Sequence, residues 1–187
     1  PELQALGHRF RTRSDTEVIV HAWEAWGEDC VQRLRGMFAF ALWDRNRQTF
    51  FLARDRLGVK PMFYGVLDDG MLLFGSELKS LLAHGGLRRD IDPQAVEEYF
   101  ALGYVAEPRT IFRQALKLEP GHTLCIRRGA PLPAPRAYWD VRFTGDNRIG
   151  AEDALEELRF RLRESVKLRM IAEVPLGAFL SGGVDSS

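Results

Sequence analysis

The sequence predicts an α+β chain in two parts, on three observations. Two pairs of short apolar runs, each pair joined by a polar turn, read as antiparallel hairpins. Segments with helix-capping signals flank them. After a Pro-rich stretch the period shifts to a long amphipathic helix that leads into an apolar segment and a Gly-Gly turn. The 187 residues, 45% hydrophobic and 28% charged, allow one domain plus part of another and exclude a disordered or collagen-like chain.

Taken in order, Ser14-Asp15-Thr16-Glu17 has the form of a capping box, a Ser N-cap with Glu three residues on. Val18, Ile19, Ala22, Trp23 and Trp26 then make one apolar helical face, and Gly27 supplies the stop. A second short helix is expected over 28–34. From Met37 to Trp43 the chain is continuously apolar, turns at Asp44-Arg45-Asn46-Arg47 and continues through Thr49-Phe50-Phe51-Leu52-Ala53, which predicts a hairpin buried on both faces. Residues 62–67 and 71–74, joined by Asp68-Asp69-Gly70, predict the second hairpin. A short helix from Glu77 to Leu82 is closed by Gly85-Gly86, and Asp92-Pro93 sets an N-cap and a first-turn proline before a helix reaching Leu102. One more strand is expected from Gly121 to Arg127. Pro120, Pro131, Pro133 and Pro135, with a lapse of apolar period, place a linker at 131–150 between a first domain over 1–130 and a second over 151–187. In the second, Leu155, Leu158, Leu162 and Val166 mark an amphipathic helix, and Val174 to Leu180 reads as an apolar strand entering the Gly-rich turn.

Composition narrows function. Lys+Arg and Asp+Glu both number 26, so there is no electrostatic footprint for a nucleic-acid partner. No apolar run approaches the roughly 20 residues of a membrane helix, and the charged start (Glu2, His8, Arg9, Arg11) lacks a signal-peptide core, so a cytoplasmic protein is expected. Cys30 and Cys125 make no disulfide framework, and the four histidines fall in no metal-ligand spacing. The chain starts at Pro1 and stops inside its most informative motif, which reads as a fragment of a longer protein.

That motif is Ser181-Gly182-Gly183-Val184-Asp185-Ser186-Ser187 after an apolar segment. Two glycines allow close backbone approach to a phosphate, hydroxyls and N–H groups offer donors, and a following helix would aim its positive end at the anion. It is neither a Walker A loop nor a dinucleotide fingerprint. Leu180 to Ser186 resembles the PP-loop of ATP pyrophosphatases, and Glu173-Val174-Pro175-Leu176-Gly177 before it is similar to the asparagine synthetase family's version. Four upstream strings resemble the glutaminase domain of that family in the same order: Ser14-Asp15-Thr16-Glu17-Val18, Leu34-Arg35-Gly36-Met37-Phe38-Ala39-Phe40-Ala41, Arg54-Asp55-Arg56-Leu57-Gly58-Val59-Lys60-Pro61 and Gly75-Ser76-Glu77-Leu78-Lys79-Ser80-Leu81.

The resemblance implies an N-terminal-nucleophile hydrolase-like sandwich (αββα), truncated at its N-terminus, then the first helix and strand of an α/β PP-loop domain. It implies glutamine hydrolysis in the first part, ammonia passing through an internal channel, and amidation in the second of a carboxylate activated as its AMP ester. Aspartate is the first-choice acceptor, giving asparagine, AMP and pyrophosphate. Similar family members accompany exopolysaccharide or exosortase systems with other acceptors, or cyclise β-lactams. A homodimer is expected on the same ground. By the resemblance Asp15 pairs with the α-ammonium of glutamine, Leu180, Ser181, Gly182, Gly183, Asp185 and Ser186 hold ATP, and Asp185 binds Mg²⁺.

The family's nucleophile is a Cys at the mature N-terminus, and its Arg and Asn-Gly-Glu strings lie upstream of the matched segment. None has a counterpart here, so no catalytic residue is assigned and the chain alone is expected to be inactive. From another class, a catalytically silent scaffold is the alternative. Pro1 offers no thiol, and Cys30 and Cys125 read as small buried hydrophobes. Arg54, Asp55, Arg56 and Lys60 read as a salt-bridged turn. Glu77 and Lys79, two apart on a short helix, are expected to face different ways. Trp23, Trp26, Phe38, Phe40 and Trp43 read as core.

Overall fold

The computed structural model describes residues 1–143, 145, 149–172 and 174–184. They fall into two compact units, Pro1–Val141 and Arg142–Ser187. In the first, a short helix α1 (Glu2–Ala5) precedes α2 (Asp15–Trp26). Ser14 caps α2 as its sequence predicts, its Oγ accepting from the Thr16 N–H at 3.2 Å. The capping box is not closed, however. Glu17 turns away from Ser14 and accepts instead from the N–H groups of Arg11 and Thr12, both at 2.7 Å. Gly27, at φ 58°, ends the helix, and one 3₁₀ turn (Gly27–Asp29) leads into α3 (Cys30–Arg33).

The two predicted hairpins form. β1 (Ala39–Asp44) pairs antiparallel with β2 (Thr49–Arg54), Ala39 opposite Arg54 and Asp44 opposite Thr49. β3 (Phe63–Val66) pairs with β4 (Leu72–Gly75), Phe63 opposite Gly75. Helices α4 (Leu78–Leu82) and α5 (Pro93–Leu102) follow, the latter capped by Asp92 and closed by left-handed Gly103. β5 (Ala115–Lys117) joins β3, and β6 (His122–Arg127) joins β2 and β7 (Arg136–Ala137). The result is a four-stranded sheet, β1-β2-β6-β7, and a three-stranded sheet, β4-β3-β5.

Strand parity stacks these into layers, because alternate residues face opposite sides of a sheet. Phe51 and Ala53 of β2 pack with Ala22 and Trp23 of α2 and with Cys30 and Val31. Leu52 and Leu124 face the other way and pack with Met62, Tyr64 and Leu118. The far side of the three-stranded sheet, with Ala115, packs with Leu81 of α4, Leu67 and Leu87. The order is helix, sheet, sheet, helix, the expected αββα arrangement. Phe50 and Phe74, 5.1 Å apart, join the two sheets directly.

Some expectations give way to the pairing. β2 is buried along nearly its whole length, but β1 is an edge strand, so its hairpin is not buried on both faces. Trp43 accordingly stands 47% exposed rather than in the core, whereas Trp23 is buried and donates its indole N–H to Asp44 Oδ2 at 2.8 Å. Residues 136–138, expected in a linker, belong to the first unit. β7 pairs with β6, and the Tyr138 hydroxyl donates to the Arg54 carbonyl at 2.8 Å.

The second unit holds α6 (Ala151–Arg169), acidic in its first turn and basic in its last, as the helix dipole favours. Its Leu155, Leu158 and Leu162 are exposed, as are Phe179 and Leu180. The strand predicted from Val174 to Leu180 is not formed. A strand exists only by sharing its backbone hydrogen bonds with another, and no segment of the described residues 142–184 pairs with this one.

Candidate functional site

A cleft of about 460 Å³ opens in the first unit beside the N-terminus of α2. Asp15, Thr16 and Ile19 line it from α2, Met37 to Ala41 from the approach to β1, Lys60 to Met62 from the loop before β3, and Phe74 to Ser76 from the end of β4. Four strings that lie far apart in sequence therefore converge on one concavity. Of the predicted site residues it holds only Asp15. Lys60, Phe74 and Ser76 were not singled out for binding; Lys60 and Ser76 lie in strings that carry the resemblance, and Phe74 lies outside them.

Asp15 is the first residue of the helix and is exposed to the cleft. The hydroxyls of Ser14 and Thr16 donate to its Oδ1, each at a long 3.4 Å. No Lys, Arg or His among the described residues pairs with it. The cleft therefore presents a carboxylate with no paired cation over largely apolar walls, to which Lys60 also belongs, a setting that can receive a cationic group. The loop ahead of it is tied down by Glu17. Hydrogen bonds from the Thr12 hydroxyl and the Arg11 and Thr12 N–H groups hold the Glu17 carboxyl at about 2, far below its usual value.

The opposite wall rests on Asp55. Only 1% exposed, its Oδ1 accepts from the N–H groups of Leu57 at 3.2 Å and Val59 at 3.0 Å. Its Oδ2 accepts from Phe38 at 3.2 Å and Lys60 at 2.9 Å. One carboxylate thus joins the approach to β1 with the loop before β3. The expected salt-bridged turn is corrected here, since Asp55 and Arg56 are turned onto backbone groups and the ion pair Arg54 makes is with Glu107, outside the turn. Arg54 donates to the carbonyls of Gly58 at 2.9 Å, Lys60 at 2.9 Å and Leu118 at 2.6 Å, and pairs with Glu107 at 2.7 Å. Arg56 donates to the carbonyls of Leu34 at 2.7 Å and Gln32 at 3.2 Å. Gly58 fits between these groups at φ +65°, where a Cβ would stand 2.7 Å from Pro120 Cγ and 2.9 Å from Arg54 Nη2.

Glu77 and Lys79 also differ from expectation, with Lys79 Nζ 2.6 Å from Glu77 Oε2. Glu77 is the extended N-cap of α4 and not a helical residue, so helical spacing does not apply to it. Both side chains are exposed, and neither lines the cleft.

Neither cysteine lies in the cleft. Cys30 is wholly buried, and burial pushes its thiol up to about 11 from a usual 9.0. Burial and then the neighbouring Glu28 push Cys125 to about 11 as well. Only the thiolate is nucleophilic, so both should alkylate slowly in the folded chain near about pH 8 and rapidly in urea. Their contribution to stability is full below 9.0 and is lost as pH rises towards 11. Iodoacetamide labelling across that range, read by mass spectrometry, checks this; fast native labelling of Cys30 would contradict it.

In the second unit, Leu180, Ser181, Gly182 and Gly183 are exposed, while Asp185 and Ser186 lie outside the described residues. The Gly183 N–H is turned onto the Ser181 carbonyl and not outward. A phosphate cradle needs N–H groups above a strand, and no strand forms among the described residues of this segment.

The glutamine amidotransferase domain family matches residues 1–139, and the asparagine synthase family matches residues 157–187. The glutamine-hydrolyzing asparagine synthetase 3 of Bacillus subtilis is 41% identical over 187 residues, covering 100% of this chain and 30% of that protein. A protein of Methanocaldococcus jannaschii named as putative glutamine-hydrolyzing asparagine synthetase 2 is 39% identical, over 94% of this chain and 34% of its own length. The amidase chyE of Penicillium rubens is 38% identical, over 96% of this chain and 26% of that one. Among solved structures, the B. subtilis glutamine phosphoribosylpyrophosphate amidotransferase with ADP and GMP aligns at 20% identity and a TM-score of 0.47, over 74% of this chain and 25% of that one. The chain thus spans about a third or less of the curated relatives it matches. No helix among the described residues is long and apolar enough to cross a membrane. By the match over 1–139 the chain belongs to the glutamine amidotransferase domain family, followed by a segment of the asparagine synthase family.

Proposed function

We propose that the chain is part of a longer ATP-dependent, glutamine-hydrolysing amidotransferase that converts aspartate to asparagine, with glutamate, AMP and pyrophosphate as co-products. The observation that carries this reading is the cleft beside α2, where Asp15, paired with no cation among the described residues, faces largely apolar walls built from four separate strings. An amino acid presents an α-ammonium, and a carboxylate at the cleft rim is the group that receives it. The names of the relatives, at about two-fifths identity across the chain, support the same chemistry. ATP and Mg²⁺ are proposed on the Ser181-Gly182-Gly183-Val184-Asp185-Ser186 string, with Asp185 as the oxygen ligand a hard cation takes. The nucleophile for glutamine hydrolysis is proposed to come from outside this chain, since both thiols here are held protonated and away from the cleft.

The test is AMP and pyrophosphate formation by the full-length protein, with glutamine or ammonia supplied and aspartate present or absent. AMP that appears only with aspartate, together with asparagine, bears the proposal out. A second reading, the same chemistry with another acceptor, is favoured by the amidase among the relatives. Glutamine hydrolysis without aspartate-dependent AMP would select it.

A further inference from the structure

Away from the cleft, the fold joins three ligating atoms that the sequence keeps apart. His8 follows α1, while His21 and Glu24 lie on one face of α2, three residues apart. His8 Nδ1 stands 3.1 Å from His21 Nδ1 and 3.4 Å from Glu24 Oε2, and His21 Nδ1 stands 2.9 Å from the same oxygen. Sequence spacing hid this, because a metal-ligand pattern is sought within one element and His8 arrives by a loop.

Protons alone do not satisfy the contact. A proton on His21 Nδ1 is shared between Glu24 and His8. A proton on each ring sends both to Glu24 and leaves one N–H against the other. At most two of the three edges are served in any of these states. A cation bound by all three atoms serves every edge at once. The edges of 2.9, 3.1 and 3.4 Å also match the separation of about 3.3 Å between ligand atoms around a tetrahedral metal with bonds near 2.0–2.1 Å.

The surroundings add a second, independent observation. His21 Nε2 is buried and makes no hydrogen bond, and Glu17 Oε1 stands 3.7 Å from it. If Nδ1 gives its lone pair to a metal, the ring proton must sit on Nε2, on the side of Glu17. That is the carboxylate–histidine–metal order in which an outer carboxylate orients a ligand ring. Phe10 packs edge-on against His21 at 4.9 Å and shields it. The His8 and His21 side chains are only 20% and 18% exposed, while Glu24 is 55% exposed and leaves a way in.

We propose that His8 Nδ1, His21 Nδ1 and the Glu24 carboxylate form a three-ligand site for a divalent transition metal of the zinc type, with solvent in the fourth position. Two imidazoles and one carboxylate suit such a metal and disfavour Ca²⁺ and Mg²⁺, which take oxygen ligands. The metal would clasp the segment after α1 to α2, thirteen residues apart, and so fix the loop that delivers Asp15 to the cleft.

The experiment titrates tag-free, EDTA-treated chain with Co²⁺, reads the visible d–d bands, and then displaces Co²⁺ with Zn²⁺. The expected result is a single equivalent bound with the strong absorption of tetrahedral coordination. His8→Gln and Glu24→Gln, both at the rim, should each weaken binding by about 10-fold or more, and His84→Gln and His122→Gln should not. Zn²⁺ should raise the thermal midpoint of the parent chain and leave that of His8→Gln unmoved. Octahedral Co²⁺ spectra, or unchanged affinity in folded His8→Gln and Glu24→Gln, would overturn the assignment.

Discussion

Replacing Asp55 with alanine is expected to cost about 2–6 kcal/mol, since its four backbone donors, three of them able to recover water in part, together amount to about two donors left unpaired at roughly 1–3 kcal/mol each. The side chain is 1% exposed, and its two oxygens accept from Leu57, Val59, Phe38 and Lys60. The Leu57, Val59 and Lys60 amides belong to exposed residues of the same loop and can in part recover water, whereas the bond to Phe38 crosses to the approach to β1. A domain of this size has about 5–15 kcal/mol in total, so the variant should unfold at much lower urea. Asp55→Asn keeps the volume but turns an N–H₂ group towards N–H donors, and should recover less than half the loss. Urea unfolding followed by the fluorescence of Trp23, buried in the core under α2, gives the number. A loss below about 1 kcal/mol for Asp55→Ala would mean that the loop finds other partners and that the carboxylate does not hold the cleft walls together.

Local signals were legible in the sequence and non-local ones were not. Ser14, Asp92 with Pro93, and Gly27 act within a few residues of themselves, and the helices they start and stop are where they were expected. Both hairpins carried their turns between apolar runs. By contrast β5 is three residues long and exists only because β3 offers an edge. β7 is two residues long and directly follows Pro135, a setting that reads as linker until β6 is seen beside it. The exposure of Trp43 follows from β1 standing at the sheet edge, which no periodicity reports. The site divides in the same way. Asp15 was legible because its string was, while the cleft needed four strings brought together. Asp55 read as one charge among several in a turn, because its partners are backbone groups up to seventeen residues away.

Asp15→Asn is expected to lower kcat/KM for glutamine by about 10- to 100-fold in the full-length protein, the cost of one charge-assisted hydrogen bond worth roughly 1.5–3 kcal/mol. If Asp15 binds the α-ammonium in ground and transition state alike, the loss falls on KM and leaves kcat nearly unchanged. Amidation driven by free ammonia should be untouched, because it bypasses the cleft. Stability should also hold, since the residue is exposed, makes only two long contacts and pairs with no cation among the described residues. Asn even remains a competent group near a helix start, so the change removes charge without removing shape. These expectations separate substrate binding from the alternative that Asp15 only complements the helix dipole. A dipole partner would cost about 0.3–1 kcal/mol of stability and would move neither KM nor the ratio of glutamine- to ammonia-driven turnover. Steady-state kinetics with the two nitrogen donors side by side, alongside a urea melt, distinguishes them. An unaltered KM for glutamine would take Asp15 out of the binding site and leave the cleft without its carboxylate.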